Sequence, residues 1–381
     1  MIINQVVKGS GGSAPASYRA FQVDNNGKLV NSTSTPWVPF PAGTTDLEAS
    51  ILYQAYKETS ANVLSGSIDL SSLTTISGSA AMNGCFQSCT GITSVDLSSL
   101  TTVSGGSGLA NCFSSCTGIT SVDLSSLTTV SGSGALNYMF NRCTGLTSVD
   151  LSSLNTVSAT NALGYCFSGC TGLTSVNLSS LTTISSVGGF SYCFQSCTGI
   201  TSVDLSSLTT ISNTNSMSSC FYGCTSLTSV DLSSLTTIKG SNCMASCFAG
   251  CTSLTTLSFP SLNSNSFGSY TNQFVNMLAS VTGCTVHFPM AIQSTIGSWT
   301  DVTGGFAGTN TTVLFDIVTS LTGADSNTYT RKQKESTSTA TAWTYNDTLY
   351  YTSGTTEPSV GDTIYSDSAC TTTVTTISAI A

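Results

Sequence analysis

The feature that most constrains this chain is a sequence unit that returns every 27 residues without an insertion or a deletion. Each unit contains Ser-Val-Asp-Leu or a close variant, and the second residue of this tetrapeptide is Ile68, Val95, Val122, Val149, Val176, Val203 or Val230. Leu257-Ser258-Phe259 is a degenerate eighth copy. A fixed period of this length indicates a solenoid, in which each unit buries its apolar face by stacking on its neighbours. Stacked identical units build long surfaces rather than one asymmetric pocket, so the period favours binding or structural roles over catalysis.

Apolar residues mark two extended segments within one repeat. Val95 and Leu97 are two residues apart, so they share one face of a strand, and Asp96 lies on the other. Leu100 and Val103 suit a turn and a second short extended element. We therefore expect a parallel sheet with its valines and leucines in the core and its aspartates in solvent.

The rest of the repeat predicts a helical element and a loop. In Cys85-Phe86-x-x-Cys89 the apolar side chains follow the i, i+1, i+4 spacing of a helical face. Gly, Ser and Asn dominate the variable stretch before it, which we interpret as a loop. The predicted fold class is therefore an α/β solenoid, with one strand, one turn and one short helix in each copy.

The repeat resembles a known family. The pattern aromatic-x-x-Cys-x-x-Leu-Thr-Ser-Val, followed by Ser-Leu-Thr-Thr-Ile, is similar to the BspA-like class of leucine-rich repeats from about residue 63 to 262. Members of that class are typically bacterial or protozoan surface proteins and adhesins, so the resemblance implies adhesion. One departure is the first cysteine column, where the family commonly has a small residue such as Ala.

Segments outside the repeats suggest smaller modules. Phe274, Leu278, Val286 and Phe288 are typical of an atypical last repeat that closes a stack. The predicted domains are an N-terminal attachment region at 1–60, a solenoid with its C-terminal cap at 61–322, a linker at 323–342 and a small β module at 343–381. In the β module, 349–351, 363–365 and 371–380 are the predicted strands, and in the head Asn26-Gly27 indicates a hairpin.

Two flanking pieces resemble a second group of proteins. Val23-Asp-x-Asn-Gly-Lys-Leu29 and the tail's Val360-Gly-Asp-x-Ile-Tyr-Ser366 are similar to flanking pieces of tail or fibre proteins from phages of gut bacteria. The resemblance implies a virion component that is assembled in the host cytoplasm. It also implies contact with other virion proteins through the N-terminal region and with a host-surface protein or glycan.

Composition excludes some partners. Charged residues make up 7% of the chain and its net charge is −9, against roughly 25% charged residues in an ordinary soluble protein. Nucleic-acid binding needs Lys and Arg to neutralise phosphates, so nucleic acid is excluded as a partner. No apolar run approaches the roughly 20 residues that span a bilayer, and residues 1–10 lack the pattern of a secretory signal. We expect no membrane insertion and no export by the general secretory route.

Cysteine forms two columns at the 27-residue spacing. The first is Cys85, Cys112, Cys166, Cys193, Cys220 and Cys247, with Met139 at the remaining position, and the second is Cys89, Cys116, Cys143, Cys170, Cys197, Cys224 and Cys251. Packed free thiols, metal ligation and disulfides are the three interpretations. Met139 favours the first, because a thioether replaces a thiol there without disturbing the period. We expect no metal and no cofactor.

Aspartate forms a third column, which is the first candidate site. Its members are Asp69, Asp96, Asp123, Asp150, Asp204 and Asp231, with Asn177 at one position. Like charges on neighbouring strands repel each other, so the column needs solvent, a cation or a partner. A solvated outward column and a ridge that binds a ligand or cation are the two interpretations.

Aromatic residues of the tail are the second candidate site. Trp343, Tyr345, Tyr350, Tyr351 and Tyr365 suit either glycan contact or the core of a small module. His287 is the only histidine, and a structural role is expected for it because no nucleophilic pair is recognisable.

The sequence as a whole predicts a non-enzymatic protein. We expect a structural component of a phage virion, such as a fibre, tail or capsid-decorating protein, that displays the repeat surface for attachment and forms a homo-oligomer. A bacterial cell-surface adhesin of the BspA-like type is the alternative.

Overall fold

The computed structural model describes residues 65–316, apart from 270, 271, 290, 291, 298, 300, 301, 303 and 304, together with six strands between 318 and 380. The predicted attachment region at 1–60 and the hairpin at Asn26-Gly27 lie outside the described residues.

Residues 65–316 form a coil of short strands that advances by one repeat per turn. In chain order the strands are β1 (Ser65–Asp69), β2 (Thr75–Ile76), β3 (Gly91–Asp96), β4 (Thr102–Val103), β5 (Ser121–Asp123), β6 (Thr129–Val130), β7 (Ser148–Asp150), β8 (Thr156–Val157), β9 (Ser175–Asn177), β10 (Thr183–Ile184), β11 (Ser202–Asp204), β12 (Thr210–Ser212), β13 (Ser229–Asp231), β14 (Thr237–Lys239), β15 (Thr256–Ser258), β16 (Thr285–Pro289) and β17 (Thr312–Asp316).

These strands pair in parallel and in register, as the 27-residue period predicts. Strands β1, β3, β5, β7 and β9 form one sheet, and β2, β4, β6, β8, β10, β12 and β14 form a second. Val122 pairs with Val149, and Val130 with Val157. The inward assignment is confirmed, because Val95 is 3% exposed and Leu97 is fully buried.

The segment that follows the second strand of each repeat differs from the short helix that the sequence predicts. Where a short helix was expected, the chain makes successive tight turns, and a residue with positive φ recurs every four positions, as at Ala80, Gly84 and Ser88. Backbone N–H groups donate hydrogen bonds alternately within their own coil and to the next coil. Cys85 N–H donates to Met82 O in the same coil, and Phe86 N–H donates to Cys112 O in the next coil. A helix would keep all these hydrogen bonds within one coil. The successive turns instead allow hydrogen bonds between neighbouring coils, and this favours the turns over a helix.

The core is a set of columns that run along the coil. Seven phenylalanines, one per repeat, stack face to face with ring centroids 5.2 to 5.7 Å apart: Phe86, Phe113, Phe140, Phe167, Phe194, Phe221 and Phe248. All are essentially inaccessible to solvent. Each repeat therefore adds one ring to an apolar column that it could not bury alone.

The stack closes with the atypical last repeat that the sequence predicts. Strands β15, β16 and β17 pair in parallel, and Phe274, Leu278, Val286 and Phe288 are buried against them. A one-turn helix α1 (Gln293–Ile296) and a 3-10 turn (Gly305–Ala307) cover this end. In the described part of the chain, no helix has the length and hydropathy of a membrane-spanning segment.

The C-terminal strands form a separate antiparallel sheet. They are β18 (Val318–Gly323), β19 (Thr328–Gln333), β20 (Trp343–Tyr345), β21 (Leu349–Tyr351), β22 (Thr363–Tyr365) and β23 (Thr373–Ile380), each paired with the next, and β23 pairs back with β18. The three strands predicted for this module are confirmed. Residues 328–333 were assigned to a linker at 323–342, but they pair with β18 and β20 and are therefore strand. The domain boundaries otherwise stay predictions.

Candidate ligand-binding face

The odd-numbered strands from β1 to β13 present a polar face, which we call the aspartate face. Its strands follow an outward, inward, outward pattern: in β5, Ser121 and Asp123 are exposed on either side of the buried Val122. The same pattern recurs in β9 and β11. Serine hydroxyls and aspartate carboxylates thus form two outward columns on a backbone that the stacked core holds in place.

Each aspartate also closes the turn that follows its strand. The Asp123 Oδ1 atom accepts hydrogen bonds from the backbone N–H of Ser125 at 2.9 Å and from its hydroxyl at 2.6 Å. The hydrogen bond from the backbone N–H two residues later recurs at 2.9 to 3.0 Å at the other aspartates: Asp69, Asp96, Asp150, Asp204 and Asp231. This contact is an Asx turn. It explains why Asn177 fits the column, because its Oδ1 accepts the same bond from Ser179 at 3.2 Å.

The turn bonds also favour the ionised form of two of these carboxylates, Asp123 and Asp204. Hydrogen bonds from the Ser125 side chain and backbone lower the pKa of Asp123, and those from Ser206 lower the pKa of Asp204. Hydrogen bonds to a carboxylate favour its charged form. Asp123 and Asp204 therefore carry negative charge on the aspartate face at neutral pH.

The structure groups the predicted aspartates into two sets. Asp69, Asp96, Asp123 and Asp150 are consecutive register partners, and Asp150 is followed by Asn177. Asp204 and Asp231 pair separately on β11 and β13. Strand pairing is interrupted between β9 and β11, after the one column position that lacks a carboxylate.

Two open grooves follow the aspartate face. One has a volume of about 510 Å³, and its lining includes Asp123, Asp150, Asn177 and Asp204, so it spans the interruption between the two sets. The other has a volume of about 520 Å³ and continues along β11 and β13 to Pro260. Their walls are hydroxyls, carboxylates and the edges of buried valines, which suits contact with an extended polar surface.

The cysteine columns belong to the core rather than to a site. The fifteen cysteines from Cys85 to Cys284 are free and buried. Each second-column thiol from Cys116 to Cys251 donates to the backbone carbonyl of a phenylalanine one coil earlier, as Cys143 does to Phe113 at 3.1 Å. Burial raises the pKa of Cys170 to about 12 and that of Cys243 to about 12. Protonated thiols are poor nucleophiles and poor metal ligands.

Two further observations concern metal and histidine. Among the described residues, no three His, Cys, Asp or Glu side chains are grouped so as to hold a metal ion. His287 lies in β16, half-buried, next to the core residues Val286 and Phe288. This position agrees with a structural role.

The tail aromatics lie on neighbouring strands of the C-terminal sheet. Trp343 is the register partner of Tyr351, and Tyr350 is the partner of Tyr365. Tyr345 is opposite Leu349. The sheet thus brings these residues to adjacent positions, and glycan contact by them stays a prediction.

Sequence reasoning missed one surface feature. Tyr138, Tyr165 and Tyr192 recur at the 27-residue spacing and stack face to face with centroids 4.5 Å apart. They lie half-buried on the turn side of the coil, away from the aspartate face. Their spacing was visible in the sequence, but the expected helix gave no reason to align them.

A comparison with protein families agrees with the repeat architecture. A family model described as a BspA type leucine-rich repeat region matches in six copies, over residues 40–134, 60–186, 109–239 and 137–276. No curated protein matches the sequence. Among solved structures, a chain of the Toll–Spatzle complex of Drosophila matches at 14% identity with a TM-score of 0.27, covering 65% of this chain and 39% of that chain.

Proposed function

We propose that this chain, which belongs to the BspA-type leucine-rich repeat family, is a non-enzymatic surface protein that binds other macromolecules through its aspartate face. Solenoids of this family are typically binding scaffolds and are typically surface-exposed. For this chain we propose the more specific role of a phage virion component used in host attachment. A bacterial cell-surface adhesin is the second candidate, and the family membership favours it.

The observation that carries the binding role is the repetition of the aspartate face from strand to strand, on both sides of the interruption between β9 and β11. Serine and aspartate columns repeat along β3 to β13 on a backbone held by a stacked core, and two grooves run along them. A preorganised surface loses little conformational entropy when a partner binds. Such a surface suits a long or repetitive ligand better than a small molecule.

Composition supports contact through hydroxyls and amides rather than through ion pairs. Within the repeats the only basic residues are Arg142 and Lys239, so the face cannot alternate opposite charges. Binding through this face should depend weakly on salt. Several weak contacts act together when a surface is displayed in many copies, because linked sites raise the effective concentration.

The cysteine pKa values support the non-enzymatic assignment. Cysteine is the most nucleophilic type of side chain within the repeats. Burial raises the pKa of thiols such as Cys170 and Cys224, so these thiols stay protonated. They also lie in the core, out of reach of a substrate.

The binding role is tested by substitutions in the first groove. Ser148→Arg places a long cation in the groove, in the serine column between Ser121 and Ser175, whereas Ser131→Arg makes the same change at an exposed position outside the groove. We expect the full chain and the Ser131→Arg variant to bind intact cells of the host species, and Ser148→Arg to lose binding. Equal binding by both variants would refute the use of this face.

The two candidate locations are separated by fractionation. An antibody against the chain is used on cultures of the source bacterium, divided into purified phage particles and washed cells. Signal in particles of sharp buoyant density supports the virion component. Signal confined to the cell envelope contradicts it and supports the adhesin.

A further inference from the structure

We propose that the turn side of the solenoid carries a second binding site, at the end of the tyrosine ladder, which takes a pyranose ring of a neutral glycan. The tyrosine ladder is the stack Tyr138–Tyr165–Tyr192. It lies on a different side of the coil from the aspartate face, so this inference does not rest on the function proposed for that face.

Both the backbone conformation and the ring stacking define the tyrosine ladder. All three tyrosines adopt positive φ, between 54° and 56°, which turns their side chains out of the core. Adjacent rings are within 7° of parallel. Burial is the main cause that raises the pKa of Tyr165 to about 12, and the neighbouring Tyr138 and Tyr192 contribute as well. Because Tyr165 stacks on Tyr138 on one side and on Tyr192 on the other, its ring is covered on both faces, and only the ends of the ladder can accept another ring.

The Tyr192 end differs from the rest of the column. The next two positions are Ser219 and Ser246, with φ of 54° and 52°, so the backbone continues the ladder while the rings stop. Within the described residues Tyr192 makes one aromatic contact, with Tyr165, which leaves its second face without a stacked ring. Ser219, the next residue of the column, is small and 4% exposed.

A second aromatic side chain stands in the same coil as Ser219. Tyr222 is 45% exposed, one of two large apolar side chains so exposed in the described part of the chain. Its amide donates to the Ser219 carbonyl at 3.1 Å, and its own carbonyl accepts from Ser196 N–H at 2.7 Å. These bonds fix Tyr222 close to the coil of Tyr192. Tyr222 therefore lies three residues after Ser219, in the coil next to that of Tyr192.

The surroundings select a neutral, hydroxyl-rich ligand. The turn segments 185–198 and 212–225 contain no Asp, Glu, Lys, Arg or His. They offer polar groups such as the half-buried amide side chain of Gln195. The C–H face of a pyranose carries slight positive charge and complements the negative face of an aromatic ring. Its hydroxyls need neutral donors and acceptors, which this surface supplies.

The ladder itself provides the blocking variant. Ser219→Tyr adds a fourth ring at a φ that the three tyrosines already adopt, so it should fold and cover the face of Tyr192. Ser246→Tyr is the matched control, because it makes the same change in the same column one coil further. The probes are the soluble neutral polysaccharides galactomannan, xylan and β-glucan, each cast into a native gel with the full chain.

We expect at least one of these polysaccharides to retard the full chain and the Ser246→Tyr variant. Ser219→Tyr should weaken that retardation by about tenfold. Should Ser219→Tyr fail to fold, Tyr192→Leu replaces it, with Tyr138→Leu at the opposite end as its control. No retardation by any of the three polysaccharides, or equal retardation of the blocking and control variants, would overturn the proposal.

Discussion

At the level of single residues, the aspartate column shows one side chain in two roles. Asp123 is exposed and so contributes to the outer surface, yet its Oδ1 atom also closes the turn at Ser125. A solvated column and a binding ridge are therefore compatible, because the turn explains why aspartate is repeated and uses the Oδ1 atom alone.

The turn bonds predict an acid-sensitive part of the stability. The pKa values of Asp123 and Asp204 are lowered in the folded chain, so their contribution is present above the unfolded pKa of about 4 and is lost as the pH falls through the folded values. The double variant Asp123→Asn, Asp204→Asn should lose less stability between neutral and acidic pH than the parent. Urea midpoints across this range measure it.

The paired control is Asp123→Ala with Asp204→Ala, which removes the acceptor altogether. It should be less stable than the Asn variant even at neutral pH, by about 1 kcal/mol or less for each lost bond. Parallel loss of stability in the parent and the Asn variant on acidification would contradict the role of these carboxylates.

Buried thiols predict a contrast between native and denatured protein. Because burial raises the pKa of residues such as Cys170 and Cys224 to about 12, the fifteen described cysteines should not react with a thiol reagent in the native protein at neutral pH. They should all react in denaturant without a reductant. Rapid native reaction of several thiols, or stoichiometric bound zinc, would show that the columns are not packed core.

At the level of elements, the inward strand positions predict a large effect of one charge. Leu151 is fully buried in the middle of the array. Leu151→Asp would place an unpaired carboxylate there and cost several kcal/mol, while Ser131→Asp at an exposed position should change stability little. Thermal melts of the two variants measure the difference, and equal melting temperatures would contradict the inward assignment.

The strands could be predicted because their evidence lies within one repeat. The alternation of Val95, Asp96 and Leu97 fixes both the strand and its faces, and the period fixes the register. The turns could not be predicted in this way. Cys85, Phe86 and Cys89 have the spacing of a helical face, and only the bonds to the next coil, such as Phe86 N–H to Cys112 O, distinguish turns from a helix.

The candidate sites likewise include features that the sequence of one repeat predicts and features that it does not. The outward column of aspartates follows from strand alternation and was predicted residue by residue. The interruption after Asn177 and the grooves depend on how neighbouring coils pack, which no single repeat encodes. The tyrosine ladder depends on positive φ at Tyr138, Tyr165 and Tyr192, a conformation that is uncommon for tyrosine and was therefore not expected.

For the whole molecule, the central claim is that successive repeats stack in register, because both proposed surfaces depend on that stacking. Along the seven-stranded sheet each repeat adds one strand. Strands of a sheet lie about 4.8 Å apart. The separation of equivalent residues should therefore grow linearly with the number of repeats between them.

The most direct test is a set of distances between pairs of spin labels along the seven-stranded sheet. Thr75→Cys on β2 is combined in turn with Thr183→Cys, Thr210→Cys and Thr237→Cys, which lie four, five and six strands away. The fifteen cysteines from Cys85 to Cys284 are buried. Cys370 is replaced by Ser in every variant, so the label goes to the introduced cysteines. Pulsed electron-spin measurements should give backbone separations that rise in equal steps, at about 19, 24 and 29 Å. Separations that do not rise in equal steps of one strand spacing would contradict the stacked solenoid.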